Sequence, residues 1–162
     1  MKRFRTAAGV LAGLAILVVC QPVSAKPQQS GTVVGTAQHS CPPLSMNRRT
    51  ISLDLVATGK HDGSGTGLID ESCSADVFVA VTFDCVAIYG SDTEGQTAYA
   101  SGLGDNGRIY LVKVFDAPLG VIGSDEYGVE ITDTPPKHND KHCGAQNVAT
   151  ELARGDFEIT TT

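Results

Sequence analysis

The residues most able to do chemistry lie in KHNDKHCG, residues 137–144. On a helix, His138 and His142 would share one face and could bind a zinc ion together with Cys143. The surrounding TDTPPKHNDKHCG holds two prolines and no apolar periodicity, which is typical of an exposed loop. A disulfide would also remove Cys143 as a thiolate ligand. We therefore predict a polar surface loop and no metal site; a structural zinc site is the alternative.

A second candidate is a set of carboxylates, Asp116, Asp125 and Glu126, around the segment DAPLGVIGSDEYG. Clustered oxygens of this kind suit a hard cation such as calcium. The segment has no EF-hand or other calcium-binding spacing, and Asp and Gly are ordinary turn residues. We predict plain turn chemistry here, and calcium binding stays open as the alternative.

Other motifs carry weaker signals. His61, Asp62 and Ser64 lie together in the sequence, but a catalytic triad needs spatial proximity rather than adjacency. The chain has no G-x-S-x-G elbow and no Trp with which to build a sugar cleft. RGD at 154–156 falls where we expect a turn, and GSGTG at 63–67 lacks the lysine of a phosphate loop and indicates a turn. We expect no catalytic, cofactor-binding or metal-binding residues.

The N-terminal segment has the pattern of a secretory signal peptide. A basic start with Lys2, Arg3 and Arg5 precedes an apolar run that is too short to cross a bilayer as a helix. Small residues follow at Val23-Ser24-Ala25, so we predict cleavage after Ala25 and secretion. Lipidation of Cys20 is the alternative, which Val19 disfavours. No later apolar run could span a membrane.

Charge and cysteine content narrow the class further. The formal net charge is −6, and loss of a basic signal peptide would make the chain more acidic, which disfavours nucleic acid as a partner. Four cysteines remain after cleavage: Cys41, Cys73, Cys85 and Cys143. An even number in an exported chain indicates two disulfides, and spacing leaves all three pairings open.

Alternating hydrophobicity predicts strands along most of the chain. TISLDLVATG (50–59) places Ile51, Leu53 and Leu55 on one face, as a half-buried strand does. DVFVAVTFDCVAIYG (76–90) is apolar on both faces, so we predict a central strand. Its two expected faces are Val77, Val79, Val81, Phe83, Cys85 and Ala87 on one side, and Phe78, Ala80, Thr82, Val86 and Ile88 on the other.

Turn signals complete the expected order of strands. GQTAYASGLG (95–104) and GRIYLVKVFD (107–116) flank an Asn-Gly pair that predicts a hairpin with a type I′ turn. EYGVEIT (126–132) is another short strand. For 147–160 we favour a hairpin joined at Arg154-Gly155 over a short helix.

Eight or nine strands and no clear helix indicate an all-β chain, either a single antiparallel β-sandwich or a partly closed β-barrel. The predicted division is a signal peptide at 1–25, a flexible segment at 26–47 with a first strand at 31–37, and the β-domain at 48–162. A monomer is expected.

Four sequence patterns resemble a recurring actinobacterial secreted β-domain. They are FDCVAIYG (83–90), AYASG (98–102), the stretch from Val112 to Gly128, and a terminal LARGDFEI (152–159). The chain is also similar to the small β-domain that follows choice-of-anchor modules in bacterial surface proteins. The similarity spans roughly residues 64–160; DAPLG (116–120) departs from it, because relatives carry Asn-Gly there.

The resemblance implies an all-β exported module with no catalytic residues to transfer. It has one cysteine in its central strand and another before its terminal strands, which implies a Cys85–Cys143 disulfide and leaves Cys41 to pair with Cys73. We expect a non-catalytic module that binds an extracellular protein or a cell-envelope component. An inhibitor or effector of another secreted protein, or an enzyme of unrecognised type, is the alternative.

Overall fold

The computed structural model describes residues 28–40, 48–60, 62–70, 78–118, 125–137 and 140–162. Most of these residues lie in nine β-strands, and three form a 3-10 helix, Ala145–Asn147. The strands are β1 (Ser30–Ser40), β2 (Arg48–Thr58), β3 (Ser64–Asp70), β4 (Phe78–Ser91), β5 (Gly95–Gly104), β6 (Ile109–Asp116), β7 (Glu126–Thr132), β8 (Glu151–Leu152) and β9 (Arg154–Thr161).

All nine strands belong to one antiparallel sheet in the order β8-β7-β6-β5-β4-β3-β2-β1-β9. The two edge strands, β8 and β9, are separated in the chain by Ala153 alone. One residue cannot cross a flat nine-stranded sheet, because neighbouring strands lie about 4.8 Å apart. The sheet therefore curls until its edges meet, and it forms the nearly closed β-barrel that was one of the two predicted architectures.

Side chains that alternate along the strands fill the barrel. Ile51, Leu53 and Leu55 of β2 are buried as predicted, while Asp54 points outward. Interior glycines make room for the large residues opposite them. At Gly35, for example, an added Cβ would lie 2.9 Å from Cδ1 of Phe157, so the aromatic ring occupies the space of a side chain.

Strand β4 is central, as predicted, but its faces differ from the expected ones. A β-bulge between Phe83 and Cys85 shifts the register against β5. Before the bulge Val79, Val81 and Phe83 point inward, and after it Val86 and Ile88 do so. Strict alternation would have placed Cys85 on the same face as Phe83. The extra residue, Asp84, turns Cys85 to the outside of the barrel.

The domain begins earlier than residue 48. Within the segment expected to be flexible, 26–47, residues Ser30–Ser40 form β1, which pairs with both β2 and β9. Val33 and Ala37 on this strand are fully buried. The Gly-, Ser- and Gln-rich composition suggested mobility, but the small residues fit a crowded strand. The predicted first strand at 31–37 is confirmed.

The glycine-rich GSGTG is also a strand rather than a turn, because Ser64–Asp70 form β3. A Cβ at Gly65 would lie 2.3 Å from the carbonyl oxygen of Asp54, and one at Gly67 would lie 2.9 Å from Leu53. These glycines are therefore needed for close packing with β2 and with the core, not for turn conformations.

The hairpin of β5 and β6 is confirmed, but its turn is not type I′. A type I′ turn needs positive φ at two successive residues, and here Gly107 has φ 80° while Asn106 does not have positive φ. The amide of Gly107 donates to Gly104 O, and the amide of Gly104 donates to Arg108 O. This is a three-residue loop that ends in a glycine bulge. Asn106 instead uses its side chain, donating to the hydroxyl of Tyr110.

The predicted terminal hairpin at 147–160 is wrong. Strand β8 pairs with β7, and β9 pairs with β1, so the two strands flanking Ala153 lie on opposite edges of the sheet. The amide of Ala153 donates to Asp125 O, 2.7 Å away, and anchors this crossing. The local turn signal at Arg154-Gly155 was outweighed by closure of the barrel.

The segment predicted as a signal peptide, 1–25, lies outside the described residues, and so do Cys41 and Cys73. Among the residues that are described, no helix has the length and apolar character needed to cross a membrane.

Candidate functional site

The KHNDKHCG segment belongs to an excursion between β7 and β8 that packs against the outside of β4, β5 and β6. We call its described part, residues 133–137 and 140–150, the outer loop. Cys143 is joined to Cys85 by a disulfide with a Cα–Cα distance of 5.7 Å, as the resemblance implied. The bulge in β4 makes this bond possible, because it points Cys85 outward.

His142 has a packing role in the outer loop. Its ring centroid lies 5.1 Å from that of Tyr89 and 4.8 Å from that of Tyr99. Its backbone amide donates to Asp140 Oδ1, and the Tyr89 hydroxyl donates to the carbonyl oxygen of Lys141 at 2.7 Å. The imidazole thus anchors the loop on the barrel wall between two aromatic rings.

The two tyrosines beneath the loop are partly shielded from water, and the pKa of each is raised. Burial raises the pKa of Tyr89, and the nearby Tyr99 and Asp140 raise it further. Burial also raises the pKa of Tyr99. A protonated Tyr89 keeps its hydrogen bond to the loop backbone, which supports a structural role for this cluster.

The metal alternatives find no support in the described part of the chain, where no group of three or more His, Cys, Asp or Glu side chains could hold a metal ion. His138 and His61 lie outside the described residues. The prediction of a metal-free loop therefore stays a prediction for His138, while Cys143 is committed to the disulfide.

The carboxylates Asp116 and Asp125 lie at the seam, the line where β9 meets the ends of β6 and β7. Asp125 Oδ2 accepts from the amide of Phe157 at 2.7 Å, and its Oδ1 accepts from the amide of Ala117 at 3.2 Å. Asp116 Oδ2 accepts from the amide of Ile159 at 2.9 Å. Asp125 and Asp116 therefore accept the hydrogen bonds that a neighbouring strand would otherwise accept from these two amides of β9.

Glu126, the third candidate carboxylate, lies apart from this arrangement. Its Oε2 accepts from the hydroxyl of Thr150 at 2.6 Å. The sequence correctly grouped Asp116 with Asp125. It did not indicate that each of them accepts from a backbone amide of β9, more than 30 residues away, because only barrel closure brings β9 there.

A groove of about 390 Å³ opens along the seam. Its lining includes the acidic side chains Asp92, Asp116, Asp156 and Glu158, together with Gln96. Burial raises the pKa of Asp116, the hydrogen bond from Ile159 opposes the rise, and the charges of Asp125, Asp156 and Glu158 add to it. Sequence reasoning missed Gln96 and Glu158, because nothing local distinguishes them from other strand residues.

The remaining motifs have structural positions. Asp62 Oδ1 accepts from the hydroxyl of Thr58, and Ser64 begins β3, while the third member of that set, His61, is not described. Arg154, Gly155 and Asp156 lie at the start of β9, with Gly155 paired to Ala37. The RGD segment is therefore part of a strand rather than of a protruding turn.

The outer surface of β1–β4, with Leu103 of β5, forms what we call the hydroxyl-rich face. One continuous cross-strand row shows its character: Leu103, Thr82, Thr66, Asp54 and Val34. A neighbouring row contains Ala80, Leu68, Ser52 and Thr36. Among these nine side chains only Asp54 is charged, so these two rows carry little charge for such an acidic protein.

Large apolar side chains are exposed on this face. Leu103 is 56% exposed, Val34 50% and Leu68 49%, and Val56 and Phe78 are nearly as open. In the first row Thr82, Thr66 and Asp54 lie between Leu103 and Val34, and in the second row Leu68 lies between Ala80 and Ser52. Exposed apolar and polar side chains are therefore interspersed on this surface of the sheet.

Comparison with known proteins gives no match to any family model, curated protein or solved structure, and the resemblance to secreted bacterial β-domains stays a prediction.

Proposed function

We propose that this chain is an exported, non-catalytic β-module that binds an extracellular protein or a cell-envelope component through the hydroxyl-rich face. The observation that carries the proposal is the group of large apolar side chains, Val34, Val56, Leu68, Phe78 and Leu103, exposed together on neighbouring strands. Exposed apolar patches on a folded protein mark interaction surfaces.

The charge distribution supports the same face. The chain is acidic overall, and the neighbouring strand β9 presents Asp156 and Glu158. The hydroxyl-rich face lets a neutral partner approach with little charge to desolvate, and its hydroxyl groups supply hydrogen bonds beside the apolar contacts. An inhibitor or effector of another secreted protein would use such a face in the same way.

Export is part of this proposal. It rests on the signal-peptide pattern of residues 1–25 and on the disulfide, since disulfides persist mainly in oxidising compartments. A hydrolytic enzyme is less well supported. Both oxygens of Asp125 and one oxygen of Asp116 accept backbone amide hydrogen bonds, which leaves little freedom for proton transfer.

The test is affinity capture with residues 26–162, disulfides intact, against culture medium and cell-envelope fractions of the organism that carries the gene. Wild type is compared with a Leu68→Asp and Val34→Asp double variant. We expect the double variant to lose at least nine-tenths of the captured partner, because buried carboxylates oppose an apolar contact; this is about 1.4 kcal/mol or more of binding free energy.

Leu152→Asp is the matched control, because Leu152 is 67% exposed but lies on β8, away from the face. It should capture as much as wild type. Equal capture by all three proteins, or equal loss in the control, would refute binding through this face. Far-UV circular dichroism checks that each variant keeps its strand content.

A further inference from the structure

The seam groove presents hydrogen-bond acceptors and negative charge. The described residues that line it include Asp92, Asp116, Asp156 and Glu158 and no Lys, Arg or His. Four carboxylates around one groove are not by themselves a binding site. The hydrogen bonds made by Gln96, which lies beside them, indicate that the groove lacks a hydrogen-bond donor.

Gln96 is the second observation. It lines the groove, only 4% of it is exposed, and its Nε2 donates to Asp92 Oδ1. Its Oε1 is buried and accepts no hydrogen bond from the described chain. A buried acceptor without a donor is unfavourable. We therefore expect a bound group to supply the hydrogen-bond donor that the described chain does not provide.

The electrostatic environment points to a donor with positive charge. The pKa of Asp116 is raised by burial and then by the charges of Asp125, Asp156 and Glu158, although the Ile159 amide opposes the rise. Neighbouring carboxylates that destabilise one another are stabilised by a cation that enters between them.

We propose that the seam groove binds the guanidinium or ammonium group of a basic peptide. Such groups are donors only, and they match a groove that offers carboxylates and an amide oxygen. A volume of about 390 Å³ accommodates one long basic side chain with part of its backbone. A metal ion fits less well, because no group of three metal-ligating side chains exists in the described chain.

This site is separate from the hydroxyl-rich face and does not depend on it. The face uses mainly uncharged side chains on the outside of β1–β4 and Leu103 of β5, whereas the groove uses Gln96 on β5, Asp116 on β6 and the carboxylates of β9. A failure at one surface therefore leaves the other unaffected, and different variants distinguish the two.

The test is titration of the oxidised 26–162 chain with acetyl-Gly-Arg-Gly-amide, followed by amide chemical shifts in ¹⁵N NMR spectra. We expect saturable shifts at Gln96, Phe157 and Ile159. The same peptide with citrulline in place of arginine keeps the shape but lacks the charge, and it should bind at least tenfold more weakly. Equal binding of the citrulline peptide would overturn the proposal.

Variants assign the effect to the groove. The exposed pair Asp156→Asn with Glu158→Gln should weaken the arginine peptide at least tenfold. Glu130→Gln, an exposed carboxylate on β7, is the matched control and should leave affinity within twofold of wild type. An unchanged affinity in the double variant, or an equal loss in the control, would contradict binding in the groove.

Gln96→Leu separates a binding role from a structural one. Removing the unpartnered acceptor should leave resistance to urea equal to or above that of wild type while peptide affinity falls at least threefold. Unchanged affinity would remove Gln96 from the site and overturn the argument. Titration with calcium chloride alone is the final control, and stoichiometric calcium binding with the same shifts would show a metal site instead.

Discussion

At the seam, two carboxylates accept backbone hydrogen bonds that a neighbouring strand accepts elsewhere in the sheet. The amides of Phe157 and Ile159 point away from β1, and Asp125 and Asp116 accept their hydrogen bonds. Because a buried amide without a partner is costly, these side chains are as important for closure as a strand pairing would be. Asp116 and Asp125, two of the three acidic residues that suggested a cation site, therefore also hold β9 in place.

Asp125→Ala should strongly destabilise the protein. The substitution leaves the buried amide of Phe157 and the half-buried amide of Ala117 without their acceptor, and an orphaned buried donor costs about 1–3 kcal/mol. We expect the free energy of unfolding in urea to fall by about 3 kcal/mol, and by less in Asp125→Asn, which retains one acceptor. Glu130→Ala is the exposed control, and a loss no larger than that of the control would contradict this role.

Asp116→Asn should change how stability depends on pH. Burial raises the folded-state pKa of Asp116 above the ordinary aspartate value, so the folded protein favours the protonated form more than the unfolded chain does. That contribution is complete below the unfolded pKa and is lost as pH rises through the raised value. Asparagine stays neutral and can still accept from Ile159, so the stability of the variant relative to wild type should increase as the pH rises from the unfolded pKa through the raised folded-state value. Urea unfolding of both proteins across that range measures the difference, and a constant or opposite difference would contradict the direction of the shift.

The disulfide and the bulge act together at the scale of the elements. The bulge after Phe83 turns Cys85 outward, and the outer loop brings Cys143 to meet it. Cys143 itself has a positive φ of 51°, which is uncommon for a residue with a side chain. The aromatic contacts of His142 with Tyr89 and Tyr99 complete the attachment of the loop to the barrel wall.

Removing this bond in a Cys85→Ala, Cys143→Ala double variant should lower the free energy of unfolding by about 4 kcal/mol. The bond closes a loop of 58 residues, and the chain-entropy model gives a loss of this size. Urea unfolding followed by circular dichroism measures it. Treatment of wild type with EDTA should leave its unfolding curve unchanged. Destabilisation by the chelator would instead support the alternative of a zinc site in KHNDKHCG.

The whole barrel depends on close packing between large side chains and strand glycines. An added Cβ at Gly35 would lie 2.3 Å from the carbonyl oxygen of Asp156 and 2.8 Å from Cα of Phe157. Since β1 and β9 meet here beside the seam, extra volume at Gly35 would separate two strands whose pairing helps to close the barrel. Crowding at this position therefore matters for the entire fold.

Gly35→Ala should lower the free energy of unfolding by about 3 kcal/mol, since overpacking a tight core typically costs about 1–3 kcal/mol. Gly107→Ala is the matched control, because Gly107 has a positive φ but nothing within 4 Å of the added Cβ. Conformational strain alone should cost it about 1 kcal/mol. Thermal and urea unfolding compare the two, and equal losses would show that contact with β9 is not the cause.

Much of this architecture follows from local pattern. Period-two alternation predicted β2 with Ile51, Leu53 and Leu55 inward, and apolar character on both faces predicted that β4 is central. Both are confirmed, because burial of alternate side chains is a property of the strand itself. The pairing of Cys85 with Cys143 followed from resemblance rather than from spacing.

The strand pairing at the seam, the face on which Cys85 lies and the residues of the groove were decided by the tertiary structure, because the hydrogen-bond partners of a strand are distant in sequence. Nothing in the neighbourhood of Ala153 indicates that β8 and β9 belong to opposite edges, and that single crossing closes the barrel. The inserted Asp84 changes the face on which Cys85 lies, and the hydrophobic alternation of 76–90 gives no indication of this bulge. Gln96 and Glu158 come together only across the seam. Local sequence pattern therefore identified most of the strands, although not β3, while closure of the sheet determined which side chains meet and where the groove lies.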